Sequence, residues 1–280
     1  MRMRYLARKR FVILFSAFAF LVFVTGKELL SEQGYYTIIP IQYNQHDYPT
    51  IEVQIEGRSY VFIVEIGCTS TAFLDTETLD TMNVTFDSLR VWKNTDDYQS
   101  YTYYETPAYR IPRVKVGSLN IESLLAIETP VEGDNVIGQG LGMNYNVLLD
   151  LPNNRMIACD NFDRLCKQNI ATKDWVRIPF FYDALGMFIQ GETDWGCSTF
   201  ELSTTQQQSL LFFPATQREQ KNISTIRIKG HDFGRLSFVQ IPQIQDHHSC
   251  LGLDFLRKNS LYIDFTNQCL YMKVLISQEK

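Results

Sequence analysis

A chain of 280 residues, 45% hydrophobic and 20% charged, holds one large or two ordinary globular domains and excludes a disordered or fibrous polymer. Its 26 basic and 31 acidic residues leave a net charge of −5, a balance that argues against nucleic acid as a partner. Aromatic residues make up 13%, with 19 Phe and 15 Tyr, which leans the expectation toward β-structure.

The first 26 residues stand apart. Arg2, Arg4, Arg8, Lys9 and Arg10 precede an uncharged run from Phe11 to Val24 whose only polar residue is Ser16. A basic flank followed by such an apolar run is the layout of a secretory signal. It is short for a membrane span, which takes about 20 residues. Val24-Thr25-Gly26 offers small residues for cleavage without an Ala-x-Ala pattern, so two outcomes stay open: a cleaved signal, or an anchor that holds the chain to the membrane through residues 11–24. Either way the basic flank stays cytoplasmic and the body is exported. Without those five basic residues the net charge moves from −5 to −10.

The body begins with a strand at Ile38 to Tyr43. Ile51-Glu52-Val53-Gln54-Ile55 alternates apolar and polar, the pattern of a half-buried strand. A turn at Glu56 to Ser59 returns the chain along Tyr60 to Val64, completing a hairpin that leads into Glu65-Ile66-Gly67-Cys68-Thr69-Ser70. A short helical stretch follows at Leu74 to Leu79, then a polar, Tyr-rich stretch from Val91 to Tyr109. Ile111 to Val116, a turn at Gly117-Ser118 and Leu119 to Ile127 form a second hairpin. Val136-Ile137-Gly138 and the strand Val147 to Leu151 close the first half.

The second half repeats this order. Gly138 through Asn153 matches Gly252 through Asn267 at a constant offset of 114, with Gly138/Gly252, Asp150/Asp264 and Asn153/Asn267 identical. Upstream, Val116-Gly117-Ser118-Leu119 matches Phe233-Gly234-Arg235-Leu236, and Ile39-Pro40-x-x-Tyr43 matches Ile178-Pro179-x-x-Tyr182. Three matches in one order indicate an internal duplication. Two copies are too few for a solenoid. They predict a mainly β protein of two similar lobes, residues 27–168 and 169–280, joined in the polar stretch Lys167 to Asp174.

Acid-x-Gly between an apolar strand and a short helix, Val136-Ile137-Gly138 and Cys250-Leu251-Gly252 as paired apolar-apolar-Gly segments, and Leu251-Gly252-Leu253-Asp254-Phe255-Leu256 followed by Leu261-Tyr262-Ile263-Asp264-Phe265 together resemble the pepsin-like and retropepsin-like aspartic proteases, over essentially the whole body. The resemblance implies one cleft between the lobes, with an Asp-Thr-Gly loop from each lobe at its floor. The first loop here reads Glu65-Ile66-Gly67.

Two stretches compete for the second loop. Asp194-Trp195-Gly196 keeps the acid and the glycine; Ser203-Thr204-Thr205 keeps neither. Spacing favours the second. Pro40 to Glu65 is 25 residues and Pro179 to Ser203 is 24, whereas Pro179 to Asp194 is 15 and leaves no room for a hairpin. Strands at Met187 to Glu192 and Ser198 to Leu202 then flank a turn at Thr193 to Gly196, where Asp and Gly are turn residues.

In the family two carboxylates share one proton, and one of them takes a proton from the attacking water while the other hydrogen-bonds the peptide carbonyl. Glu65 keeps a carboxylate but adds a methylene; Ser203 offers no carboxylate. Ile66 replaces the Thr whose hydroxyl ties the loops, Gly67 is retained, Thr204 keeps the hydroxyl, and Thr205 replaces the Gly. Gly138 and Gly252 shape the loops from below. Three readings follow: an exported pseudo-protease holding a peptide or protein in its cleft, an active endopeptidase using Glu65 with Asp194 as second acid, or a structural envelope protein. With both lobes in one chain, the expected state is a monomer. The Tyr-rich stretch lies where a flap over the cleft belongs, with Trp92, Tyr98, Tyr101, Tyr103 and Tyr104 as partner contacts; the alternative is an edge hairpin packed on its own lobe.

No cofactor or metal is expected. There is no Cys-x-x-Cys, and adjacent His247 and His248 on a strand would face opposite ways. The six cysteines are an even number in an exported chain, with Cys159 and Cys166 as the best local disulfide pair; six buried thiols are the alternative.

Overall fold

The computed structural model describes residues 36–67, 72–82, 84–96, 100–129, 135–138, 145–182, 186–213, 222–242 and 248–274, and at 91–96 and 100–104 it describes the backbone alone. The expected signal or anchor at 1–26 lies outside the described residues. Among those described, no helix is long and apolar enough to cross a membrane.

In the first half the elements run β1 (Tyr36–Pro40), β2 (Gln42–Tyr43), β3 (Pro49–Ile55), β4 (Arg58–Val64), β5 (Ala72–Asp75), α1 (Thr76–Asp80), β6 (Thr85–Asp96), β7 (Ser100–Val116), β8 (Leu119–Thr129), β9 (Asn135–Ile137), β10 (Val147–Asp150), β11 (Arg155–Cys159) and α2 (Phe162–Lys167). In the second half they run β12 (Val176–Pro179), β13 (Phe181–Tyr182), β14 (Met187–Thr193), β15 (Gly196–Leu202), β16 (Leu210–Phe213), β17 (Ile223–Ile228), β18 (His231–Ser237), β19 (Val239–Pro242), β20 (Ser249–Leu251), α3 (Leu253–Leu256), β21 (Leu261–Asp264) and β22 (Cys269–Met272).

Each half builds an eight-stranded sheet: β2-β3-β4-β9-β5-β8-β7-β6 in the first, and β18-β17-β14-β15-β20-β16-β19 with β13 on β14 in the second. A third sheet, β1-β11-β10-β21-β22-β12, takes three strands from each half. Its centre is the antiparallel pair Val147↔Ile263, Leu148↔Tyr262, Leu149↔Leu261, buried along both strands. Continuous burial explains why these strands read as unbroken apolar runs. Asp150, at the end of β10, is buried and satisfied by Arg155 Nε at 2.7 Å, Ser260 Oγ at 2.6 Å and Asn153 Nδ2 at 2.9 Å. Ser260 belongs to the other half, so this cluster fastens the two halves together.

The duplication is visible in the registers. β3 and β14 share one burial pattern over seven residues, three buried and then alternating. β2 pairs β3 through Tyr43↔Pro49, and β13 pairs β14 through Tyr182↔Met187. The β3–β4 hairpin turns at Glu56-Gly57, φ 51° and 81°, the left-handed pair that suits the twist of a tight hairpin. Its counterpart β14–β15 turns at Asp194-Trp195, between Thr193 and Gly196.

One proposed repeat match is corrected. Gln54 of β3 pairs with Lys115, and Glu192, the equivalent position in β14, pairs with Arg227. Lys115 to Leu119 therefore answers to Arg227 to His231. The second-half turn is Lys229-Gly230, φ 51° and 76°, and Gly234 lies within β18. A glycine next to apolar residues occurs in both places, and pattern matching took the wrong one. The Tyr-rich stretch is also more regular than a polar loop. β6 and β7 pair from Thr85↔Arg110 to Asp96↔Ser100, and β7, 17 residues long, continues as the first arm of the next hairpin with β8.

Candidate functional site

The site forms where β4 and β15 end. β4 runs parallel to β9 with Val64↔Ile137, and the next residue, Glu65, donates its N–H to the Ile137 carbonyl at 3.0 Å. β15 runs parallel to β20 with Leu202↔Leu251, and Ser203 donates its N–H to the Leu251 carbonyl at 3.2 Å. Glu65 and Ser203 thus hold the same station in the two halves. Gly138 and Gly252 each follow directly on those acceptor strands. Gly252 has no room for a side chain: a Cβ there would stand 2.5 Å from the Gln206 carbonyl. Its N–H donates to Ser209 Oγ at 3.0 Å, and the next N–H, of Leu253, donates to Gln206 O at 2.8 Å.

The side chains of Glu65 and Ser203 meet. Ser203 Oγ donates to Glu65 Oε2 at 3.0 Å, and both residues are 8% exposed. The longer side chain of Glu65 reaches into the opposite loop, where Thr204 N–H donates to Oε1 at 3.2 Å and Thr205 N–H to Oε2 at 2.7 Å. The Thr205 hydroxyl donates to Oε2 as well, and Gly67 N–H donates to Oε1 at 2.8 Å from the residue's own loop. Five donors converge on one carboxylate, which offers about four lone-pair sites. Ser203 Oγ in turn accepts the Gln206 N–H at 3.2 Å, closing the turn that follows.

A second tie lies below. The fully buried Thr204 hydroxyl donates to the Val64 carbonyl and accepts the Ile66 N–H at 3.3 Å. The mirror-image tie is missing because Ile66 has no hydroxyl, and its buried apolar side chain takes that place. Gly67 is required by close approach: a Cβ would stand 2.5 Å from Leu202 O. Beside the loops, Arg257 pairs with Asp47 at 2.7 Å and Gln207 Nε2 donates to His46 O at 2.7 Å, both between the two halves.

Asp194 is not in this cluster. It sits in the β14–β15 turn, at the far end of seven-residue β15, about 20 Å of strand from Ser203. Its carboxylate accepts the Thr225 N–H at 3.1 Å and faces Arg227 at 3.5 Å; the Thr225 bond is the main cause holding it below the usual carboxylate range. The expectation that Asp194 could supply the second acid fails because a complete hairpin separates it from the loop.

A different acid lies close by. Glu201, two residues before Ser203, brings Oε1 to within 3.3 Å of the point a Cβ of Gly67 would occupy, and Glu65 Oε1 lies 3.0 Å from that same point. Sequence reasoning missed it. The available signal was an acid between two apolar residues near the end of the strand, in Phe200-Glu201-Leu202, where Phe200 and Leu202 are buried.

The expected Cys159–Cys166 disulfide is absent; the five described cysteines are free thiols. Cys159 closes β11 fully buried, its Sγ directed at Asn161 O at 3.3 Å, whereas Cys166 sits on α2 among Asp163, Lys173 and Asp174. Among the described residues no group of His, Cys, Asp and Glu is arranged to hold a metal. Of the flap candidates, Tyr98 lies outside the described residues, and Trp92, Tyr101, Tyr103 and Tyr104 are placed by backbone only, as Trp92↔Tyr104, Lys93↔Tyr103 and Thr95↔Tyr101.

Among solved structures the chain is similar to the crystal structure of aspartic proteinase from Irpex lacteus, with a TM-score of 0.60 and 12% identity, covering 86% of this chain and 97% of that one. No family model and no curated protein matches. The fold is therefore pepsin-like.

Proposed function

We propose that this protein is a catalytically degenerate relative of the aspartic proteases, exported from the cytoplasm and using the cleft between its halves to hold a peptide or protein. One observation carries the reading: at the station of the second acid stands Ser203, and its hydroxyl is spent on Glu65. The family chemistry needs two carboxylates that alternate between proton donor and acceptor around a bound water. A serine hydroxyl cannot take up and return that proton. The extra methylene of Glu65 also carries its carboxylate into the opposite loop, so Glu65 acts as a tie between loops rather than as a base over a water. Because geometry errors of about 1 Å already cost on the order of 100-fold in rate, the displacement alone is disabling. The binding role rests on the cleft geometry of the fold, with the β6–β7 hairpin as the element that would cover it.

The test is incubation of the purified full chain with unfolded casein between pH 3 and 7, following both association and the appearance of new N-termini. The expected result is association without cleavage. Pepstatin-sensitive cleavage that disappears in Glu65→Ala would overturn the reading, and absence of any association would favour a purely structural envelope protein.

A further inference from the structure

Each half sends one connection across to the loop of the other. In the first half it is the segment Asn44–Tyr48, between β2 and β3; in the second it is the connection between β13 and β14, of which Gly186 is described. The second-half connection is fixed by close packing: a Cβ on Gly186 would stand 3.0 Å from Gly67 O. The first-half connection is held by polar groups instead. It is shaped in advance, because Asn44 Oδ1 accepts the His46 and Tyr48 N–H groups, both at 3.0 Å, and Asp47 stands at φ 64°, a left-handed backbone that Asp tolerates.

Arg257, directly after α3, grips this connection in three ways. Its Nη1 pairs with the Asp47 carboxylate at 2.7 Å, its Nη2 donates to the Asp47 carbonyl at 2.6 Å, and the guanidinium lies 5.0 Å from the centre of the Tyr43 ring. Gln207 Nε2 adds a bond to His46 O at 2.7 Å. The contact leads straight to the site. Gln206 and Gln207 follow Ser203-Thr204-Thr205, and α3 holds them through Leu253 N–H to Gln206 O at 2.8 Å and Asp254 N–H to Gln207 O at 3.3 Å.

We propose that the Asn44–Tyr48 connection is a releasable clasp on the second loop, with Arg257 as its positioning residue, and that the two loops part by release of this clasp while the first loop stays in place. The asymmetry between the two connections is the reason. A glycine packed on backbone has no side chain to swing away, so that contact opens only if the backbones separate. The clasp is made by side chains that solvent reaches, Asp47 61% exposed and Arg257 34% exposed, so water and salt compete for both charges. When it opens, the Gln206-Gln207 segment loses its hold on the first half, and the Thr204 and Thr205 N–H groups that close on Glu65 become open to exchange. This goes beyond the binding role, since it concerns how the loops separate, and it holds whether or not the cleft takes a partner.

The experiment is native hydrogen exchange of the purified full chain, read by mass spectrometry on fragments covering 203–209, 60–67 and 147–150. Arg257→Ala should speed exchange in 203–209 by about three- to tenfold and leave the other two fragments unchanged. Asp47→Asn, which keeps the carbonyl bond, should give part of the effect, and Asp47→Asn with Arg257→Ala should give no more than Arg257→Ala alone. Arg257→Lys keeps the charge but loses the second bond and the planar contact on Tyr43. It should fall between wild type and Arg257→Ala, and it decides the matter if Arg257→Ala does not fold. Salt raised to about 0.5 M should speed 203–209 in wild type and not in Arg257→Ala. The proposal is overturned if 203–209 is unchanged in Arg257→Ala, or if all three fragments speed up together, which would make Arg257 a general stabiliser. Casein association is read separately: its absence alongside this exchange pattern would remove the binding role and leave the clasp standing.

Discussion

Ser203 donates its hydroxyl to Glu65 across 3.0 Å, and each residue stands one step beyond the strand pairing that ends its own half's central hairpin. The contact is therefore the meeting of two equivalent positions in a duplicated chain. Its chemistry is that of one carboxylate supplied with donors.

Glu65 is expected to matter for stability. Glu65→Ala leaves the buried N–H groups of Gly67 and Thr204 and the half-buried N–H of Thr205 without their acceptor. Each such group costs about 1–3 kcal/mol, so a loss of about 3 kcal/mol or more is expected by urea unfolding. Glu65→Gln, which keeps one acceptor oxygen, should fall between this variant and wild type. A neutral Glu65→Ala would remove the tie from the account.

Thr204 carries the hydroxyl bond from the second loop to the backbone of the first. Thr204→Val is isosteric but leaves the Val64 carbonyl and the Ile66 N–H unsatisfied, with an expected cost of about 1–3 kcal/mol. Thr204→Ser should recover most of it. Equal stability of the Val and Ser variants would show that the hydroxyl contributes through packing alone.

Two glycines separate close approach from turn geometry. Gly67→Ala and Gly252→Ala place a Cβ 2.5 Å from backbone carbonyls that cannot swing aside, and should cost at least about 1–3 kcal/mol. Gly57→Ala meets nothing within 4 Å, and its φ of 81° leaves only a left-handed penalty of about 1–2 kcal/mol. Denaturant midpoints rank the three, and Gly57→Ala is expected to be the mildest.

The thiols provide a check on the missing disulfide. Iodoacetamide at pH 8 should label the exposed Cys197 readily and leave Cys159 unlabelled in the native protein. Burial pushes the Cys159 thiol up to about 11, so its reactive thiolate is scarce at pH 8 and increases only as the pH rises toward that value. Peptide mapping by mass spectrometry reads the outcome. A Cys159–Cys166 cross-link in non-reduced protein would contradict the geometry.

The buried Asp150 gives an expectation away from the cleft. Asp150→Ala releases Ser260 of the other half and leaves the half-exposed Arg155 without its carboxylate, and losing the acceptor of such bonds costs about 1–3 kcal/mol. A single cooperative unfolding transition that shifts as a whole would show that the shared sheet couples the two halves; two separate transitions would show that it does not.

The sequence by itself determined the central hairpin of each half, the strands β10 and β21, and their duplication. Alternating and continuous apolar runs are local, and a constant offset of 114 survives because both copies of β10 and β21 must be buried on both faces. Spacing also placed Ser203 and not Asp194 opposite Glu65, since a complete hairpin needs a minimum length of chain. Gly117/Gly234 misled, because a glycine beside apolar residues does not say whether it sits in a turn or within a strand; the register of β17 on β14 does. Only the tertiary structure decided where the Glu65 carboxylate goes. One extra methylene can point into solvent, toward its own loop or across to the other, and the choice depends on N–H groups of Thr204 and Thr205, some 140 residues away in the chain. For the same reason Glu201 was not legible. On its own strand it is one acid between Phe200 and Leu202, and it comes beside the Glu65 loop only when the folded halves bring Gly67 against it.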